Sequence, residues 1–244
     1  MTPLPLLGQS ALITGGAKRI GRSIALLLAA AGADITITYR NSAAEAAETA
    51  KAIEHVGRRA HAVACDVRSE PSVRDAVAAT IHYHGRLDIL VNNAGAYEAV
   101  ALDQITVAQW DAIFETNTRG PFLFAREALP HLRATSGRIV NIGSLGGIKP
   151  WATHAHYCAS KAALHMLTQA MAKAFAPQVA VNCVAPGRIE VDEVPDEEAA
   201  RFAAKTPLQR NGTTDDVARA VLYFAANASF VTGQILTVDG GLGL

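Results

Sequence analysis

The chain has 244 residues, enough for one α/β domain with a large core. Its 22 basic and 22 acidic residues cancel, so nothing in the charge suggests a nucleic-acid surface. Its longest strongly apolar run, residues 24–33, is too short to span a bilayer, and its start lacks a basic stretch followed by a cleavable apolar segment; a soluble, cytoplasmic protein is expected.

In chain order, residues 10–14 read as a short buried strand. Residues 20–31 are apolar almost all round and stop at Gly32, which reads as a buried, Gly-capped helix. Residues 34–39 alternate as a strand, and 43–56 form an Ala- and Glu-rich helix ended by Gly57. A strand at 60–64 precedes a helix at 71–84 with Pro71 near its start. The strand 89–92 leads to a helical stretch at 106–133, broken near Gly120-Pro121. A strand at 138–142, a long helix at 156–175, a strand at 179–184, a helix at 215–226 and a last strand at 235–238 follow. No linker or internal boundary appears, so residues 1–244 are expected to form one domain. Strand–helix alternation implies parallel strands joined by right-handed crossovers, hence a doubly wound sheet of about seven strands with helices on both faces. Ligands then bind beyond the carboxyl ends of the strands. Thr14, Arg40, Asp66, Asn92, Ser144 and Pro186 all fall at or just after such ends and are expected on one sheet edge.

Two segments carry chemistry. In Thr14-Gly15-Gly16-Ala17-Lys18-Arg19-Ile20-Gly21, glycines at a strand-to-helix turn let backbone approach a pyrophosphate, and the helix start offers amide donors and a positive dipole end. In Tyr157-Cys158-Ala159-Ser160-Lys161, the Tyr and Lys are one helical turn apart on a shared face, thirteen residues after Ser144. An ammonium beside a phenol favours the phenolate and lowers its pKa, so Tyr157 is expected to exchange a proton with a reacting oxygen to which Ser144 also offers its hydroxyl. That is the outline of a site reducing a carbonyl or oxidising an alcohol. The second strand ends Tyr39-Arg40-Asn41-Ser42, without the acid that an NAD site commonly places there; Asp34 sits at the wrong end. A carboxylate would repel a 2′-phosphate and a guanidinium grips one, so NADPH/NADP+ is the expected cofactor, with Arg40 as phosphate ligand and Ser42 and Arg19 as helpers.

These segments, with Asp66-Val67, Asn92-Asn93-Ala94-Gly95, Asn117, Pro186-Gly187 and Val238-Asp239-Gly240-Gly241, stand in the order and at the spacing of the short-chain dehydrogenase/reductase family. The chain resembles that family over nearly its whole length. One departure is Arg19, where the family's first motif usually has Gly; it resembles NADP-dependent pteridine reductases and related bacterial reductases. The resemblance implies a catalytic set of Asn117, Ser144, Tyr157 and Lys161, with Asn117 in a water-mediated proton relay and Lys161 also bonding the nicotinamide ribose. Asn117 otherwise reads as a helix-kink residue. The resemblance implies cofactor contacts from Gly15, Arg19, Ile20, Gly21, Arg40, Ser42, Asp66 (to the adenine), Val67, Asn93 (beside the adenosine ribose), Ala94, Gly95, Tyr157, Lys161, Pro186, Gly187 and Ile189. Asn92 and Asn93 also read as cap or turn residues. A homotetramer is implied, a homodimer being the alternative.

The substrate is less legible. By resemblance a lid covers it at about residues 188–207. From Arg188 to Glu198 six acids face one Arg, a poor field for a polyanion. Relatives acting on acyl carrier protein rely on entrance arginines, and residues 175–179 hold no base. Trp151, between Ser144 and Tyr157, is expected in the substrate wall or, equally, in a subunit interface. Residues 175–187, the acidic lid and residues 230–233 resemble pteridine-reductase relatives, yet those commonly carry Asp where this chain has Ser144. The preferred reading is a 3-oxoacyl-type ketone reductase; the alternatives are pterin C=N reduction and a non-catalytic NADP-binding sensor. Two ligands do not make a zinc site, so His82 and His84 are expected to end a helix as dipole-matched cations, and His154 and His156, just before Tyr157, to be solvated loop residues or, alternatively, to touch substrate. No metal is expected. Cys65, Cys158 and Cys183, odd in number and scattered, are expected as buried thiols.

Overall fold

The computed structural model describes residues 4–191, 197–227 and 230–244. Seven parallel strands make one sheet in the order β3-β2-β1-β4-β5-β6-β9: β1 Ser10–Ile13, β2 Asp34–Tyr39, β3 Ala60–Ala64, β4 Ile89–Asn92, β5 Arg138–Ile142, β6 Ala180–Pro186 and β9 Ile235–Val238. The order reverses between β1 and β4, where Leu12 pairs with Leu90. A crevice forms beyond the strand ends at such a switch point.

Strands buried on both faces send alternate residues into two cores. Ala11, Ile13, Ile89 and Val91 join Ile24, Leu28, Val217 and Val221 on one face. Leu12, Leu90 and Ile139 join Val73, Val77, Phe124, Leu132 and Met171 on the other. Helices α1 (Arg19–Ala30), α2 (Ala43–His55) and α8 (Thr214–Leu222) thus cover the first face. Helices α3 (Glu70–His84), α5 (Gly120–Thr135) and α6 (Ala155–Phe175) cover the second. A fold of this kind is the expected doubly wound, Rossmann-like sheet.

Three regions depart from the expected elements. The stretch expected to be helical over 106–133 is α4 (Val107–Phe114), a wider π-turn over Glu115–Arg119, then α5. Pro121 lacks the N–H that would bond Asn117 in an unbroken helix, so the distortion lies N-terminal to the proline rather than at it. The helix expected at 215–226 is regular only to Leu222 and then winds wider over Tyr223–Asn227. In the expected lid, β7 (Ile189–Glu190) pairs with β8 (Gly212–Thr213), and α7 (Glu197–Lys205) follows; residues 192–196 lie outside the described residues. Among the described residues, no helix is long and apolar enough to cross a membrane.

The histidines differ from expectation. His84 is not a helix-end cation: Gly85, left-handed at φ 79°, caps α3, and His84 packs inward with Nε2 3.1 Å from the Thr36 hydroxyl. Burial pushes its pKa down to about 4, so the ring is neutral. His156 is fully buried rather than solvated, because α6 starts at Ala155 and turns position 156 inward; its Nε2 lies 3.6 Å from Glu98.

Candidate active site

A cavity of about 1250 Å³ runs along the strand ends from the start of α1 to α7. Its cofactor end is built largely of backbone. Beyond β1, the Thr14 hydroxyl accepts the N–H groups of Asn93 and Ala94, both at 2.9 Å, tying the β1 turn to the end of β4. Gly15 is left-handed at φ 63° and donates its N–H to the Thr38 hydroxyl. At Gly21 a Cβ would lie 2.2 Å from the Gly15 carbonyl oxygen, so only glycine lets α1 close onto the turn. Asn93 donates its side-chain N–H groups to the carbonyls of Thr14 and Gly15. Its amide nitrogen therefore holds the turn, and the residue also lines the cavity, so both readings stand. Asn92 bonds Asn141, which bonds Thr168, a buried chain outside the cavity.

This end fits a dinucleotide. Lys18, which caps α1, makes no side-chain cap bond, and the first turn holds no acid. The first amides of the helix are thus left for an anion. Arg19 sits at φ 53°, a left-handed conformation that costs a non-glycine residue roughly 1–2 kcal/mol. The glycine usual at this place in the family would avoid that strain; here Arg19 lines the cavity. Gly15, Arg19, Ile20, Gly21, Arg40, Ser42, Val67, Ala94, Gly95, Pro186, Gly187 and Ile189 all line the cavity, with Arg40 exposed at the end of β2. Asp34, at the other end of β2, is bound by Arg58 at 2.7 Å and Arg59 at 2.9 Å. Asp66 does not line the cavity, although its neighbours Cys65 and Val67 do. Arg68 grips its carboxylate at 2.7 Å and pulls its pKa down to about 2.

At the other end, α6 presents Tyr157 and Lys161, and the end of β5 leads to Ser144. Burial pushes the Tyr157 phenol up to about 12, against a hydrogen bond with Ser144 that favours the phenolate. The Lys161 ammonium donates to the Ile142 carbonyl at 2.8 Å and lies 5.9 Å from the centre of the Tyr157 ring. Burial pulls it down to about 8. The expected depression of the phenol by Lys161 is thus absent from this structure. The ammonium is spent on a strand carbonyl, and desolvation of the phenol dominates. Asn117 does not line the cavity either. Its side-chain oxygen accepts the Ala96 N–H at 2.8 Å, and its nitrogen donates to the Ala96 carbonyl and the Ser160 hydroxyl. The side chain pins the loop after β4 to α6 from within the π-turn, the kink-residue role foreseen beside the relay.

Rings surround Tyr157. Trp151 stacks on it at 6.1 Å and 16°, and Tyr97 meets it edge-on at 5.0 Å. His154 lies 4.8 Å from Tyr97 and 5.6 Å from Trp151. Phe202, on α7, lines the same end beneath Arg188. Sequence reasoning missed Tyr97, Phe202 and the Thr14 hub. Tyr97 carried a signal, an aromatic two residues after the Asn-Asn-Ala-Gly run at a strand end; Phe202 and Thr14 act through distant partners. Cys158, buried against Gly146, packs as expected.

A family model described as enoyl-(acyl carrier protein) reductase matches residues 15–243. The chain is 35% identical over 240 residues to the 3-oxoacyl-[acyl-carrier-protein] reductase FabG of Staphylococcus aureus, covering 96% of this chain and 98% of that protein. It is 36% identical over 248 residues to 3beta-hydroxysteroid dehydrogenase 1 of Eggerthella lenta, covering 98% and 95%. A short chain dehydrogenase from Burkholderia cenocepacia, solved in complex with NADP, superposes with a TM-score of 0.93 at 40% identity, over 98% of this chain and 100% of that one. The chain belongs to the short-chain dehydrogenase/reductase family and is an oxidoreductase of that NAD(P)-dependent class.

Proposed function

We propose that this chain reduces a ketone carbonyl of a 3-oxoacyl-type substrate to an alcohol, with NADPH as cofactor and Tyr157 as proton donor. The observation that carries the reading is one cavity lined by Tyr157, Ser144 and Lys161 and continuous with the start of α1, where burial pushes the phenol's pKa up. Such a phenol is fully protonated at neutral pH, the state a reductase needs.

NADP(H) is the cofactor, and when bound it supplies the hydride. Gly15, Gly21 and the first amides of α1 would hold its pyrophosphate, Arg40 with Arg19 and Ser42 its 2′-phosphate, and Lys161 its nicotinamide ribose. Ser144 and Tyr157 both direct hydroxyls at the carbonyl oxygen. They stabilise the charge that develops there, and Tyr157 delivers the proton. Leaving the Ile142 carbonyl for the ribose would bring the Lys161 ammonium nearer the phenol and favour proton release. Trp151, His154 and Phe202 wall this end, and β7 and α7 serve as its lid. We further propose a homotetramer in the cytoplasm.

The similarity to FabG supports a 3-oxoacyl substrate, and the absence of bases in residues 175–179 favours free thioesters or esters over a carrier-bound one. The test is NADPH absorbance with acetoacetyl thioesters, a dicarbonyl panel, steroid ketones and dihydropterins. Fastest turnover of acetoacetyl thioesters is expected. Preference for a dihydropterin would replace the ketone reading, and NADPH binding without turnover of any substrate would favour a sensor.

A further inference from the structure

We propose that His165, a residue outside the catalytic set, positions Ser144 by clamping both ends of the turn that carries it. The inference rests on the reading of Ser144 as a catalytic hydroxyl. His165 lies one helical turn beyond Lys161 on the same face of α6 and is 7% exposed. Its Nε2 accepts the backbone N–H of Ser144 at 3.4 Å. Its Cε1 edge lies against Gly147, whose backbone acts on the ring to favour the protonated form. One imidazole therefore spans the 3₁₀ turn Leu145–Gly147 from the residue before it to its last residue.

The rest of the turn is consistent with a device for holding one hydroxyl. The Ser144 carbonyl accepts the Gly147 N–H at 3.0 Å, and the Ser144 hydroxyl oxygen accepts the Gly146 N–H at 3.0 Å. With His165 on its N–H, the polar groups of Ser144 are all fixed by the turn, which leaves the hydroxyl hydrogen to point toward Tyr157 and the substrate. The glycines on either side make room for the ring. A Cβ at Gly143 would lie 2.3 Å from Nε2, and one at Gly147 would lie 2.6 Å from Cε1. Accepting the Ser144 N–H at Nε2 requires a neutral imidazole. Burial, assisted by the Lys161 ammonium, pushes the ring's pKa down to about 4, so this form persists at neutral pH.

The experiment compares His165→Phe, which keeps a ring and removes both nitrogens, with His165→Gln, which can still accept and donate, each in wild-type and Ser144→Ala backgrounds. In the wild-type background, His165→Phe is expected to lower kcat roughly tenfold, the factor carried by about 1.4 kcal/mol of barrier, with the NADPH KM unchanged. His165→Gln should recover most of that loss. In the Ser144→Ala background, His165→Phe should cost nothing further, because a positioning residue has nothing left to position. A general packing role predicts the same loss in both backgrounds, and that additivity overturns the proposal, as does an unchanged kcat for His165→Phe. If Ser144→Ala alone leaves turnover intact, the catalytic reading of Ser144 fails and the clamp fails with it. Should His165→Phe not fold, His165→Leu, which also lacks both nitrogens, asks the same question in the same two backgrounds.

Discussion

The two ends of the cavity are built from different materials. The cofactor end is backbone: a left-handed Gly15, a Gly21 that only hydrogen allows, a start of α1 with no side-chain cap, and a threonine and an asparagine that lock the turn. The substrate end is side chain: the four rings of Tyr97, Trp151, His154 and Tyr157, with Phe202 from α7. Backbone recognises what every member of a family shares, since it cannot vary without breaking the turn. Side chains vary freely, so they decide what is particular to each enzyme. The comparisons agree: proteins equally similar to this chain are named for an acyl-carrier-protein substrate and for a steroid.

The largest expected effect removes the proton shared between the ends. Tyr157→Phe should lower turnover by roughly 10²–10⁴-fold while NADPH binding, read by fluorescence, stays near wild type. A Phe variant with near-normal reduction would break the assignment of the proton donor. Wild type minus Tyr157→Phe ultraviolet difference spectra should show no phenolate from this residue until the pH approaches about 12 without cofactor.

Next comes the charge at the cofactor end. Arg40→Asp replaces attraction to the 2′-phosphate with repulsion. A hydrogen bond to a charged group contributes roughly 1.5–3 kcal/mol, so kcat/KM for NADPH should fall at least ten- to a hundredfold relative to NADH. Arg40→Ala should do less, because Arg19 remains on the same wall. An unchanged cofactor preference in Arg40→Asp would mean that Arg40 is only a solvated surface charge.

The substrate end is tested by Trp151→Ala. Loss of the ring stacked on Tyr157 should raise the substrate KM several-fold more than the NADPH KM. If both rise together, the division between the ends is wrong at this residue; if the variant instead elutes as a smaller species on a sizing column, Trp151 belongs to a subunit interface.

The smallest effect sharpens the backbone side. Arg19→Gly removes a strained φ and should relieve about 1 kcal/mol, raising Tm by a few degrees despite the more flexible unfolded chain. It should also weaken NADPH binding. A lower Tm would show that the Arg19 side chain stabilises the fold by more than its backbone costs.

The contrast also explains what the sequence disclosed. Strand ends, the glycine turn, Arg40 and the Tyr157–Lys161 spacing are local patterns, and the structure brings them to one sheet edge as expected. The failures were all questions about distant neighbours. Whether Lys161 faces the phenol or a carbonyl depends on Ile142, nineteen residues away. Whether His84 is charged depends on its burial, which sets its ring beside Thr36 from a distant part of the chain. His156 was expected at the start of the long helix, but its burial depends on what packs there, Glu98 included. Phe202 reaches the site only because the β7–β8 pair folds α7 back, and a two-residue strand carries no periodic signal.

The uncapped start of α1 has a thermodynamic consequence. A helix whose first amides await an anion is incompletely satisfied alone, so the folded enzyme and its nucleotide are linked partners. Cofactor at a hundred times its Kd adds about 2.7 kcal/mol to the folded state, provided the unfolded chain binds none. The melting temperature of this protein is therefore expected to rise with the concentration of NADP(H) in a thermal-shift titration.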